Sequence, residues 1–234
     1  MTKEEIYDLY VLQSKNVRQL KQVKNNLIKD INSEFKRKNN DYQIEIKTKL
    51  LALLYCTFSE AQFIQILHTP NGFSFTEIEL IKKQRSIAIS WKLMIDKAMT
   101  KVGDWENIPD LLNRRNKIHK IIKEYIEKPQ ELRNKIAHGQ WVHALNSDNT
   151  KENENTTLRL KELNVIKLTI WSEVHQYLSY IIRDLVQSPQ VGFHNFYWSN
   201  LVSLEEYIMK SKDWTIEKRK ERILKKAYNN VYKK

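Results

Sequence analysis

The sequence predicts an all-α protein, a bundle of long amphipathic helices, on three observations. Glycine and proline are scarce: there are 4 of each in 234 residues, about a quarter to a third of their usual share. So few leave no room for the repeated turns of a β-sandwich or the glycine-rich phosphate loops of nucleotide folds. Apolar side chains recur at steps of three, four and seven along most of the chain, the spacing of one helical face. Hydrophobic residues make up 41 %, enough to close a core for one or two domains and too many for a disordered chain.

Residues 2–38 form the first helix, with Ile6, Tyr10, Val17, Leu20, Val23, Leu27, Ile31 and Phe35 on one face and Thr2 and Glu5 at capping-box spacing. A second helix follows the break at Lys38-Asn39-Asn40-Asp41 and runs to about His68, where Thr69-Pro70-Asn71-Gly72 closes it. It holds the apolar run LLALLYC at 50–56 and is expected to be central. Thr76 and Glu79 make another capping box, opening a helix through Ile78, Ile81, Ile87, Trp91, Ile95 and Met99 to Gly103. Residues 108–126 repeat apolar positions at helical spacing, and Pro129 opens a short helix that Gly139 ends. Segments 141–146 and 156–160 flank a polar loop, 147–155, and read as a small β-hairpin. Residues 165–186 are a strongly periodic helix stopped by Ser188-Pro189. After Gly192 come an aromatic cluster (Phe193, Phe196, Tyr197, Trp198), a helix near 201–209 and a basic helix from Thr215. The chain therefore divides into a bundle, 1–190, and a basic helical extension, 193–234, packed on it. No internal repeat is present.

Composition narrows the function. Lys+Arg 40 against Asp+Glu 28 gives a formal charge of +12, which favours a polyanionic partner, RNA or DNA before a membrane. The excess is local: residues 210–234 hold ten basic side chains against three acids, and residues 114–135 hold eight against three. Lys218, Arg219, Arg222, Lys225 and Lys226 in the last helix are the candidate RNA contacts outside the site below. The single cysteine, Cys56, excludes a disulfide within the chain and any zinc site built from several thiolates; it reads as a small core side chain. No His/Cys/Asp cluster has metal-ligand spacing, so neither metal nor cofactor is expected. The longest apolar run is seven residues where about 20 are needed to cross a bilayer. The start, MTKEEIYD, lacks a signal-peptide core, and a cytoplasmic location is expected.

The informative stretch is Glu131 to Trp141, ELRNKIAHGQW. Arg133 and His138 are separated by four residues, Asn134 follows the arginine, and Ala137 and Gly139 bracket the histidine. This resembles the R-x4-6-H motif of the HEPN superfamily, all-helical domains found in toxin–antitoxin, abortive-infection and CRISPR-associated ribonucleases. The resemblance covers that motif and a helical context over roughly residues 42–188. It implies a metal-independent endoribonuclease acting in defence or as a toxin, with Arg133, Asn134 and His138 catalytic, and a homodimer whose two motifs face each other in one cleft. An antitoxin or defence partner is implied as well. In relatives controlled by a nucleotidyltransferase, a tyrosine two residues after the histidine takes AMP; Gln140 stands there, which puts that control in doubt.

The chemistry suits the residue types. Histidine, with an ordinary pKa of about 6.5, takes and returns a proton near neutrality. Arginine offers a planar, permanently charged fork to phosphate oxygens, and asparagine can hold either partner or donate to phosphate. Such a set fits attack of a ribose 2′-OH on its own phosphodiester, giving a 2′,3′-cyclic phosphate and a 5′-OH, a reaction that requires RNA. Five residues along an α-helix leave two side chains about 140° out of line, so a distorted helix end or a second copy of the motif is needed. Lys135, Trp141 and His143 are the nearby candidates for RNA contact.

Arg114 and His119 repeat the same spacing. There, Ile118, Ile121, Ile122 and Tyr125 define the buried face and leave Arg114 on the wet one. His175, beside Trp171, Val174 and Leu178, reads as a boundary histidine, and the cluster at 193–198 with His194 either stacks bases or seats the extension on the bundle. The competing function is a non-catalytic nucleic-acid-binding or adaptor protein that uses the bundle as a dimerisation scaffold.

Overall fold

The structure, a computed structural model, describes residues 1–37 and 40–231, with side chains through residue 226. The first helix, α1 (Lys3–Glu34), starts at the expected box: the Thr2 hydroxyl accepts from the Glu5 N–H at 3.2 Å, and the Glu5 carboxylate accepts from the Thr2 N–H at 2.7 Å. The second, α2 (Asp41–Leu67), runs back along it. Gln13 donates to the Ala61 carbonyl and Gln65 to Ser14, each at 2.9 Å, while at the other end Lys47 and Arg37 meet the buried carboxylate of Glu34. Among the described residues α2 is the one helix long and apolar enough to cross a membrane, and half of that stretch is buried inside the bundle.

The next segment departs from expectation. The box is Ser74 and Glu77, one turn's fraction earlier than Thr76 and Glu79, and it opens a short α3 (Phe75–Lys82). The chain then breaks and restarts at α4 (Ile87–Met99), where the Ser86 hydroxyl accepts from the Ile89 N–H at 3.3 Å. Two serines placed where orphan N–H groups need an acceptor outweigh a continuous apolar period.

A long helical segment follows: α5 (Pro109–Ile122), a π-helical turn at Lys123–Glu127, and α6 (Lys128–Ala137). Proline explains the turn. Pro129 has no N–H for the Tyr125 carbonyl four residues back, and the Tyr55 hydroxyl of α2 donates to that carbonyl instead. The Lys128 N–H reaches five residues back to Lys123.

The expected hairpin is replaced. Residues 141–153 form a loop held by one antiparallel bridge, Leu145 to Glu152, and the second arm, 156–160, lies inside α7 (Glu154–Lys161). Asn153 caps that helix by accepting from the Thr156 N–H at 3.0 Å. Thr156, Thr157 and Leu160 are then buried together at helical spacing, which an alternating strand could not do. No strand occurs among the described residues.

Three helices complete the fold: α8 (Val165–Gln187), α9 (Gly192–Ser211), which absorbs the aromatic cluster into its first turns, and α10 (Ile216–Val231). Two apolar clusters form the interior. One joins Phe63 and Leu67 of α2, Trp91 and Ile95 of α4, Ile118 and Ile122 of α5, Ile181 and Leu185 of α8 and Phe193 and Tyr197 of α9. The other joins Ile31 of α1, Leu51 and Tyr55 of α2, Leu132 and Ile136 of α6, Leu160 of α7 and Leu168 and Trp171 of α8; Ile216 and Ile223 seat α10 on it. Cys56 lies within this second cluster, and burial pushes its thiol pKa up, as suits an inert core residue.

His175 sits where the two clusters meet, and it is fully buried rather than at a boundary. The rings of Tyr55, Phe58 and Trp91 stand edge-on to it at 5.8–5.9 Å. Its Nε2 pairs with the Ser59 hydroxyl at 2.9 Å and its Nδ1 has no partner. Burial, with the nearby Lys24 ammonium, lowers its pKa to about 3.

Candidate functional site

The motif occupies the end of α6. Leu132 and Ile136 point into the second core and fix the helix face, so Arg133, Asn134 and His138 are left on the outer side. His138 is the C-cap, and Gly139 follows at φ +79°, the left-handed position that glycine takes without strain. The chain then turns sharply: the N–H groups of Gly139 and Gln140 return to the carbonyls of Ile136 and Lys135 at 3.1 and 2.9 Å. This leaves the imidazole exposed on the rim of a cavity of about 770 Å³, floored by the helix end and walled by the loop at Leu145, Asn146, Ser147 and Asn149. Asn134, Lys135, Glu131 and Gln140 complete the wall.

Arg133 lies elsewhere. Its guanidinium is half-buried and turned toward α2, 3.8 Å from the Glu60 carboxylate, and does not line the cavity. It is linked to the cavity through Asn134, whose Oδ1 accepts from Arg133 Nη1 at 3.2 Å. Asn134 also lines a second, smaller cavity of about 340 Å³ beside Glu60, Arg85 and Glu127. Within one chain, then, asparagine and histidine share a cavity and arginine flanks it, as the angular offset of five residues requires.

The neighbouring candidates fare differently. The Lys135 ammonium lines the cavity and donates to the Leu145 carbonyl at 2.6 Å, which pins the loop to the helix. Trp141 packs against the second core and donates its indole N–H to the Ile136 carbonyl at 2.9 Å, so it supports the helix end rather than lining the cavity. His143 is exposed and meets Glu152 at 2.8 Å, and that hydrogen bond holds the carboxylate below its usual range.

The repeated spacing at Arg114 and His119 is structural. Arg114 is buried, not on the wet face: it pairs with Asp110 at 2.9 Å, and Tyr197 and Trp198 of α9 cover it with ring centroids 5.0 and 5.2 Å away. His119 and Arg115 converge on Asp96 at 2.9 and 2.6 Å. Burial works to raise that carboxyl, and the bonds from His119 and Arg115 outweigh it and hold it low. Phe193 and Tyr197 seat α9 on the bundle, while Phe196 and Trp198 remain exposed.

On α10, Lys218, Arg219 and Arg222 converge on a separate cavity with Tyr207 and Trp214. Lys225 is paired with Glu221 at 2.6 Å, and Lys226 is exposed. The sequence does not point to Glu60, Glu131, Gln140, Asn146, Ser147 or Asn149 as site residues; Ser147 and Asn149 lie in the polar run at 147–155, Glu131 and Gln140 in the stretch that carries the motif, and Glu60 and Asn146 in neither. No group of three or more His, Cys, Asp or Glu side chains that could hold a metal ion occurs among the described residues. Comparisons of the chain with protein-family models, with curated proteins and with solved structures find no match.

Proposed function

We propose that the chain is an endoribonuclease of the HEPN type that cleaves RNA to 2′,3′-cyclic phosphate and 5′-OH ends. The observation that carries the reading is the shared cavity of His138 and Asn134, with Lys135 beside them and Arg133 coupled through the Asn134 amide. A polar concavity with an exposed imidazole, an amide and an ammonium suits a phosphodiester. In the reaction His138 takes the proton of the 2′-OH, the 2′ oxygen bonds to phosphorus, and the bond to O5′ breaks as that oxygen gains a proton. The guanidinium offsets the charge that builds on the phosphoryl oxygens.

Because Arg133 faces α2 while His138 faces the loop, the reading requires a homodimer in which two motifs meet across a two-fold axis and one copy's arginine serves the other's histidine. A defence or toxin role follows the same resemblance. The test is incubation of the wild type and His138→Ala with a labelled single-stranded RNA in EDTA, followed by analysis of the product ends. Cyclic-phosphate ends from the wild type alone support the proposal; equal cutting by both proteins overturns it.

One observation favours a second reading, a non-catalytic nucleic-acid-binding protein: Arg133 is engaged by Glu60 and Asn134 inside its own chain. That reading predicts RNA binding without cleavage by either protein.

A further inference from the structure

A further cavity, of about 460 Å³, lies where α10 folds back over the start of α8, and it shares no lining residue with the His138 cavity. Its size falls within the range of roughly 300–1,000 Å³ typical of small-molecule sites. Ile166, Tyr207 and Trp214 contribute apolar and aromatic surface to its lining. Those rings meet at 86° with centroids 5.6 Å apart. Edge-to-face packing covers part of one ring, and Trp214, 43 % exposed, keeps part of its indole open to a ligand.

The cavity is also cationic. Lys218, Arg219 and Arg222 line it, and among the described residues no carboxylate does, nor does any of the three make an ion pair. This contrasts with Lys225 one turn on, which is paired. Arg219 is oriented: its Nε donates to the Asn32 side chain of α1 at 2.8 Å, leaving the two terminal nitrogens for another acceptor. Burial and, to a lesser degree, the adjacent Arg222 lower its pKa from the ordinary value. The Lys218 ammonium is held at the cavity edge by the Asp213 carbonyl at 3.1 Å.

We propose that this cavity binds a nucleotide, with its base against Trp214 and Tyr207 and its phosphate between Arg219, Arg222 and Lys218. A flat aromatic surface beside a bidentate cation is the pairing that a base with an attached phosphate requires. The same chemistry comes from two sources, a free mononucleotide or one unit of an RNA strand, and the site stands whether or not His138 is catalytic.

The test is calorimetric titration of the full chain with AMP, UMP, inorganic phosphate and a five-nucleotide RNA. The RNA arm uses the His138→Ala protein so that the strand stays whole. Trp214→Ala and Arg222→Ala change exposed side chains and leave the fold measurable by circular dichroism. Each is expected to weaken mononucleotide binding by about tenfold, while Trp214→Ala leaves phosphate binding unchanged. Competition between AMP and the RNA for the same site identifies the strand as the source; AMP binding that the RNA does not displace identifies a free nucleotide. The proposal is overturned if no nucleotide binds at millimolar concentration, if phosphate binds as tightly as AMP, or if neither substitution changes the affinity.

Discussion

Acidification should destabilise this protein through one side chain, His175. Its folded pKa is about 3 against an ordinary 6.5, so between those values the unfolded chain binds a proton that the native state refuses. Native stability is therefore complete above pH 6.5 and is lost as pH falls toward 3, at about 1.4 kcal/mol per pH unit. From pH 6.5 to 4.5 the loss is roughly 2–3 kcal/mol, a sizeable part of the ~5–15 kcal/mol that holds a typical domain. The control is His175→Phe, which keeps a ring among Tyr55, Phe58 and Trp91 and lets the Ser59 hydroxyl fall back on the carbonyl four residues earlier. Carboxylates held low in the fold, such as Asp96, titrate in both proteins and cancel in the difference; Lys24, with a pKa of about 8, titrates above the window. Urea unfolding at pH 7.0, 6.0, 5.0 and 4.5 measures the two stability curves. Curves that stay parallel across that range would refute the argument, because the buried imidazole would then carry no proton linkage.

Two further outcomes follow from backbone geometry. Ser86→Ala removes the α4 cap and should cost about 1 kcal/mol, with faster amide exchange in the first turn of α4 as the local readout. Gly72→Ala should cost more than Gly139→Ala: at Gly72 a Cβ would meet Val186 Cγ1 at 2.7 Å and the Thr69 carbonyl at 2.9 Å, whereas at Gly139 it meets nothing within 4 Å and only the positive φ resists it. Expected losses are roughly 1–3 and 1–2 kcal/mol, and the order of the two melting temperatures checks the claim.

The long helices were legible because their signals are local. Thr2 and Glu5, the face of α8, most of the face of α1 (Val23 is exposed and Lys24 buried instead), and the stop at Thr69 to Gly72 all lie within a turn or two of the structure they specify. The errors arose where a distant segment intervened. Arg114 looked wet because nothing near it in sequence covers it; the cover is Tyr197 and Trp198, some eighty residues on. His175 looked like a boundary because Tyr55, Phe58 and Lys24, which enclose it, belong to α1 and α2. The hairpin failed on a short-range competition, in which Asn153 capped a helix that the alternation of 156–160 did not reveal. Of the candidate site, the motif placed His138 and Asn134 together, but the walls of their cavity come from a loop whose turns depend on Gly139 and Lys135.

The π-helical turn at Lys123–Glu127 acts as a phase shifter. On an uninterrupted α-helix Ile118 and Ile136, eighteen residues apart, would come back to about the same azimuth. The one surplus residue in the turn rotates everything after it by about 100°, so Ile118 and Ile122 serve one core and Leu132 and Ile136 the other. The azimuth of Arg133, Asn134 and His138 about the helix axis is thus set by an insertion upstream of them, maintained by Pro129 and the Tyr55 hydroxyl. Loss of a single residue there would keep the motif's letters and spacing intact and aim them at a different neighbour.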